Sequence, residues 1–376
     1  MAYQKLKGDH LFDGKRLWES GKVLVTDGKG HKTDIVDEED AGEDVLYVPG
    51  LISPGFVNAH CHLELSHLKN AVPPHTTLIP FLLQVVNKRD YGEEVINAAI
   101  GEAILEMENN GIVAVGDICN TTHTLAYKSS SNLQWMNFIE VLSFTDARAV
   151  ERLEHFSSIW KQFEQAGIGR SSLSPHAPYS ISDTSFRMIN EATEGKTISI
   201  HNQESPAENE LFQTGRGRFI ELFANFGFHG SPFPVTGTTS IRHYLPFFNR
   251  GQKIILVHNT FMPQEDITWA NDYAKQNGIS LVYCFCVNAN LYIEDRMPAL
   301  EKFMALGCEM VLGTDSYSSN WQLKITEEVL SIQANFPQIP AETILQWATV
   351  NGTKALNTNE RWISGSDLIE RMKNGQ

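Results

Sequence analysis

Cysteine is scarce. Five residues, an odd number in a chain of 376, do not make a disulfide framework. Long apolar runs are missing too: nothing reaches bilayer-spanning length, and the N-terminus has no apolar segment of the signal-peptide kind. A cytoplasmic protein without a membrane partner is therefore expected. Positive charge is short, with 30 Lys and Arg against 45 Asp and Glu and a net charge of −15. That balance argues against nucleic acid and anionic lipid as partners. Most of the acidic residues then read as a solvated surface. What remains is a hydrophobic content of 42%, ample for a core, in a length that suits one large α/β barrel or two to three ordinary domains.

Residues 1 to 52 read as a small β element. Turn signals stand at Phe12-Asp13-Gly14 and from Thr26 to Gly30, and the runs Val23-Leu24-Val25 and Leu46-Tyr47-Val48 are expected to pair. The pattern then changes. An apolar run from Val48 to Val57 predicts a buried strand ending in His60 and His62. A helix is expected from Glu93 to Asn110, stopped by Gly111, with a strand following at Ile112–Val115. Further strands are expected at Trp135–Leu142, Ser171–Ser174, Thr197–His201, Lys253–His258, Ser280–Phe285 and Glu309–Leu312, mostly separated by helical stretches. Eight short apolar strands alternating with helices predict a (β/α)8 TIM-like barrel over 53–356, with a doubly wound open sheet as the alternative. Residues 357–376 read as a short polar tail.

In such a barrel, reactive groups belong at strand C-termini. Of thirteen histidines, His60, His62, His176, His201 and His258 fall at or just past predicted strand ends, and Asp315 follows the eighth strand. Residues spaced i, i+2 on a strand share a face, so His60 and His62 form a first pair of ligands. Three imidazoles and one carboxylate, His60, His62, His201 and Asp315, suit one divalent metal, zinc first and iron(II) next. Such a metal lowers the pKa of a water it holds to about 7. Glu204, three residues past His201, is placed to carry protons, and His258 to orient the attacking group or polarise the bond under attack. Each has a plainer reading: Glu204 as a first-turn helix acid before Ser205-Pro206-Ala207-Glu208, Asp315 as a turn cap, His176 and His258 as hydrogen-bonded core residues. Two decoys fail. His62-Leu63-Glu64 has no downstream P-C-x-x-C, since Cys284-Phe285-Cys286 reads as packing. No lysine ends the fourth strand to bridge two metals.

The stretches Pro54-Gly55-Phe56-Val57-Asn58-Ala59-His60-Cys61-His62, His201-x-x-Glu204, Leu256-Val257-His258-Asn259 and Leu312-Gly313-Thr314-Asp315-Ser316 resemble the amidohydrolase superfamily, in its mononuclear deaminase and chlorohydrolase branch. Pro175-His176-Ala177-Pro178-Tyr179-Ser180 is similar to the branch's fourth-strand signature. Ala348–Leu356 matches its closing helix, while Cys286–Tyr292 matches its seventh-strand motif only loosely. The resemblance implies metal on His60, His62, His201 and Asp315, proton transfer by Glu204 with support from His258, and a barrel joined to a small β-sandwich built from both termini. With so short a stretch after Leu356, the sandwich is expected to be reduced.

The implied reaction is hydrolysis of a carbon–nitrogen bond other than a peptide bond, foremost deamination of an aminated heteroaromatic ring such as a purine-like or aminofutalosine-like compound. Chlorohydrolase, cyclic-amide hydrolase and a catalytically silent binding protein are the alternatives. Expected contacts to this small-molecule substrate are His176, Glu64, Ser316 and Asn290, with Ser66, His67 and Gln84 near the same loop. The nine aromatic residues between Ser205 and Asn249 are expected to divide between core and a cover over the barrel mouth. A homodimer is compatible with the sequence.

Overall fold

The computed structural model describes residues 3–27 and 30–374. Gly28 and Lys29 of the expected turn, and the last two residues of the expected tail, lie outside them.

The apolar run after Val48 forms two strands rather than one. Leu51–Pro54 joins a small sheet, and Phe56–Cys61 begins the barrel. Gly55 lies between them, where a Cβ would come within 2.3 Å of Val113 Cγ1, so only glycine fits. The barrel strands are β1 (Phe56–Cys61), β2 (Ile112–Cys119), β3 (Gln134–Val141), β4 (Arg170–Pro175), β5 (Thr197–Asn202), β6 (Lys253–His258), β7 (Ser280–Phe285) and β8 (Met310–Leu312). They pair in parallel as two four-stranded sheets, β1 to β4 and β5 to β8, each in sequential order. Two seams bring the sheets together. At one, His201 N donates to the His176 carbonyl, and Ser172 Oγ to the Thr197 carbonyl. At the other, Thr314 N and Asp315 N donate to the His60 carbonyl. This is the TIM-like arrangement expected. Helices such as Glu93–Asn109 and Ala149–Ala166 pack outside it.

Three apolar clusters follow from this plan. One lies between strands and outer helices. A second fills the barrel with Val57, Ile118, Phe138, Val257, Val311 and their neighbours, and includes both Cys284 and Cys286, which are fully buried packing residues. The third sits beside the mouth, where Phe212, Phe219, Phe223 and Phe233 from the long Ser205–Asn249 connection meet Leu78, Phe81 and Tyr179.

Two four-stranded sheets stand beside the barrel. In one, Val23-Leu24-Val25 and Leu46-Tyr47 do not pair with each other. Both flank Gln4–Lys7, the first antiparallel and the second parallel. In the other, Trp362–Ser366 pairs antiparallel with Leu51–Pro54. Leu11, Leu24 and Ile52 form the core between the sheets. The stretch expected to be a polar tail thus supplies a strand and then a helix, Leu368–Asn374, whose Leu368 and Ile369 are buried. Trp362 and Ile363 followed by two serines and a glycine show no alternation that would read as a strand.

Lys128 shows how the frame bears on the site. Its ammonium lies 2.6 Å from Asp117 Oδ2 and 2.7 Å from Asn137 Oδ1, with the Lys128 and Asp117 side chains wholly buried. Asp117 Oδ1 accepts from Leu63 N, the residue after His62. Lys128→Met strands a buried carboxylate and is expected to destabilise the protein by about 3–5 kcal/mol. Urea denaturation measures this, and a loss below about 1 kcal/mol, the range of exposed pairs, would refute it.

Candidate active site

The strand ends turn their side chains inward through unusual backbone. Gln203 (φ 44°), His258 (φ 74°), Asn259 (φ 57°) and Asp315 (φ 58°) all sit in the left-handed region, where non-glycine residues are uncommon and gather at functional sites. β1 carries a register shift between Asn58 and Cys61, a bulge that re-aims the chain before the histidine pair.

The result is a convergence of ligand atoms. His62 Nε2 lies 3.1 Å from His60 Nε2, 3.3 Å from His201 Nε2 and 3.2 Å from Asp315 Oδ1. His60 Nε2 lies 3.5 Å from the same oxygen. Around a tetrahedral zinc with bonds of about 2.0–2.1 Å, ligand atoms stand about 3.3 Å apart, so the spacing fits one small cation. A looser grouping takes His258 with His60, His201 and Asp315, all within 4.8 Å of one another. The His62 distances match tetrahedral edges better.

The protonation states also fit. Burial lowers the pKa of His62 to about 3 and that of His201 well below its ordinary value. His201 Nδ1–H donates to the His176 carbonyl at 2.7 Å, which leaves the Nε2 lone pair facing the cluster. Lone pairs and a carboxylate aimed at one point call for a cation. Burial opposes charge on Asp315, yet the surrounding imidazoles hold its pKa well below the usual range, and Ser319 Oγ donates to its Oδ2 at 2.5 Å. Asn58 braces this strand end by bonding Thr314 through both amide atoms, and Asn320 donates to the Thr314 carbonyl.

Glu204 and His258 stand beside the cluster, 3.6 Å apart at Oε1 and Nε2. Glu204 is buried. That burial, then the charge of Asp315, raises its pKa well above the ordinary value. Burial lowers His258 to about 4, and its Nδ1–H donates to Asn290 Oδ1 at 3.0 Å. Helix Pro206–Thr214 starts two residues after Glu204, with Ser205 as its N-cap. Its Glu208 does not box Ser205 but reaches back to accept from Gln203 N and Glu204 N, which orients the backbone at Glu204.

The profile of the Amidohydrolase family matches residues 51–361. The chain belongs to this family. Among its relatives, it is 28% identical over 338 residues to the aminodeoxyfutalosine deaminase of Deinococcus radiodurans, covering 84% of this chain and 77% of that protein. It is 26% identical over 316 residues to an adenosine deaminase of Helicobacter pylori, covering 82% and 75%. Among solved structures, the Helicobacter pylori aminofutalosine deaminase in complex with methylthio-coformycin superposes with a TM-score of 0.82 at 20% identity, over 99% of this chain and 97% of that one. Guanine deaminase of C. acetobutylicum gives 0.71 at 14% identity, over 98% and 90%. At those identities the structures speak for the fold. The family and its deaminase relatives support the hydrolytic enzyme that the sequence pointed to. Among the described residues, no helix is long and apolar enough to cross a membrane.

The amidohydrolase cluster opens into a cavity of about 950 Å³, its mouth included, lined among others by His62, His176, His201, Glu204, His258, Asp315 and Ser316. Two expected substrate contacts lie elsewhere. Glu64 is buried and spends both carboxylate oxygens on the loop after β2, accepting from Thr121 N and Oγ1 and from Asn120 N. Asn290 stands behind His258. Neither they nor Ser66, His67 and Gln84 line the cavity. Of the nine aromatics in the long connection, Phe226 lines it, and most of the others pack in the cluster beside it.

Glu140, Asn120, Arg89 and Phe144 line the cavity and were not anticipated. Glu140 had a readable signal: an acid inside the apolar run Phe138-Ile139-Glu140-Val141-Leu142 near a strand end. Burial raises its pKa to about 7, while Asn120 Nδ2 donates to its Oε2 at 2.9 Å. The other three stand on loops or a helix end that only the tertiary fold brings to the mouth.

Proposed function

We propose that this amidohydrolase deaminates an aminated heteroaromatic ring, of the 6-aminopurine nucleoside or aminofutalosine class, in the cytoplasm. The observation that carries this reading is the convergence of three imidazole nitrogens and one carboxylate beside a buried Glu204. His60, His62, His201 and Asp315 would hold one divalent ion, zinc best suiting the donor set. When bound, it supplies Lewis acidity and activates water.

The chain's own residues do the rest. Glu204 takes the proton released by the attacking water and passes it to the departing nitrogen, which leaves as ammonia. His258, neutral and held by Asn290, steadies the attacking group beside Glu204. Glu140, with Oε1 free of any hydrogen-bond partner, faces the ring's polar edge, beside His176. The apolar walls exclude water from the rest of the substrate.

The direct test is ammonia release from a panel of aminated purine nucleosides, free bases, pterins and pyrimidines with metal-loaded protein. Turnover of a purine nucleoside above the free bases is expected. Chloride release from chlorotriazines, or no ammonia from any member, would overturn the deaminase reading.

A further inference from the structure

Glu328 stands on helix Ile325–Asn335, is wholly buried and does not line the cavity. It makes no ion pair among the described residues. A buried carboxylate without a cation has to be held by hydrogen-bond donors. Its donors come from two segments that serve the site. Oε2 accepts from Asn288 N at 3.0 Å, and Oε1 from Asn320 Nδ2 at 3.0 Å. The same Asn320 nitrogen donates to the Thr314 carbonyl at 2.8 Å, next to Asp315. Asn288 lies in the first turn of helix Val287–Glu294, which follows β7. That helix has no side-chain capping bond from its N-cap Cys286 and no acid of its own in the first turn. Glu328 supplies both from another helix, as an acceptor and as a negative charge at the N-terminus. One turn along the same helix, Ser331 Oγ donates to Asn288 Oδ1 at 2.6 Å, so Asn288 is gripped by backbone and by side chain. Two residues further on, Asn290 Oδ1 accepts the His258 Nδ1–H. Asn290 is buried and its Nδ2 has no partner, so the helix that carries this amide sets its place.

We propose that Glu328 is a positioning residue: it caps the helix after β7 from outside and thereby fixes Asn290 against His258, in register with the end of β8. This deepens the deaminase reading and rests on the role that reading gives His258. A carboxylate is called for because both of its oxygens accept. Glutamine would turn an NH2 group toward either the Asn288 N–H or the Asn320 NH2, donor facing donor, and release one of the two segments.

The test is a double-mutant cycle of Glu328→Gln and Asn290→Ala in metal-loaded protein, on the compound of the ammonia panel that turns over best. Each single variant is expected to lower kcat by about 10- to 100-fold, with KM within about twofold of wild type and metal content unchanged. The double variant should lose little beyond Asn290→Ala, because Glu328 acts through Asn290, whereas a merely structural role would multiply the two losses. Should Glu328→Gln not fold, Glu328→Asp takes its place. It keeps the charge but is one methylene too short to reach both Asn288 and Asn320, and the same pattern is expected. Multiplied losses, a kcat for Glu328→Gln within about threefold of wild type, or loss of its metal would each overturn the proposal and leave the deaminase reading standing. If the wild type yields no ammonia from any compound, the deaminase reading fails. The ring N–H resonance of His258, assigned by its loss in His258→Gln, then decides the role of Glu328 separately. It should be protected from exchange in the wild type and shifted or lost in both Glu328→Gln and Asn290→Ala, and an unchanged resonance in Glu328→Gln would overturn the proposal.

Discussion

Glutamine at position 204 is expected to lower kcat by about 10²–10⁴-fold while metal content and thermal midpoint stay near those of the wild type. Glutamine keeps the shape of the buried side chain and cannot carry a proton. Glu204 is 4% exposed, and its burial together with the Asp315 charge favours the protonated form. A carboxyl in that state can donate to a departing nitrogen. A cation bound at the neighbouring cluster would pull its pKa down, which lets the same group accept the first proton. Proton transfer in both directions is what the variant removes, so the loss belongs in kcat and KM should change little. Steady-state kinetics with metal analysis of the same preparation checks this. A kcat within about threefold of wild type would show that Glu204 is not the proton carrier.

The second large effect comes from the carboxylate of the cluster. Asp315→Asn is expected to lose the bound cation on dialysis and to bring turnover below detection. The side chain keeps its size and loses the one negative charge of the proposed ligand set, and Ser319 Oγ, which donates to Oδ2 at 2.5 Å, would then face an amide. Because a cation binds the folded chain and not the unfolded one, its loss also appears as stability. At a free metal concentration of about a thousand times Kd, the native state gains about 4 kcal/mol. A chelator should therefore lower the melting temperature of the wild type by several degrees and leave that of Asp315→Asn unchanged. The two curves should coincide once the wild type is stripped. A variant that keeps one equivalent of metal after dialysis, or melts lower still with chelator, would remove Asp315 from the ligand set.

Much of the barrel was legible because its strands are apolar runs bounded by turns, and a buried parallel strand has little other way to be written. The strand ends were legible for the same reason: histidines and an aspartate that close apolar runs stand out against them. Boundaries were less so. The run after Val48 carries no mark of its division except Gly55, and that residue is required by the approach of Val113, a neighbour some sixty positions away. Trp362–Ser366 was missed because a five-residue strand containing Ser364, Gly365 and Ser366 shows no period and pairs only with Leu51–Pro54, far back in the chain. Glu64 illustrates the opposite error. Its place two residues past His62 suggested the mouth, but its carboxylate is drawn to the backbone donors of Asn120 and Thr121, which local spacing cannot reveal.

By itself the order of residues determined the architecture and the donor atoms, since periodicity and side-chain chemistry are properties of short segments. Tertiary structure alone decided which groups share a cavity. Arg89 and Asn120 follow β1 and β2, Glu140 stands near the end of β3 and Phe144 just past it, and they meet because the barrel brings these strand ends and loops to one rim. Loops carry no periodic signal, so their share of the cavity wall was hidden in the sequence, whereas groups that close apolar strands were legible.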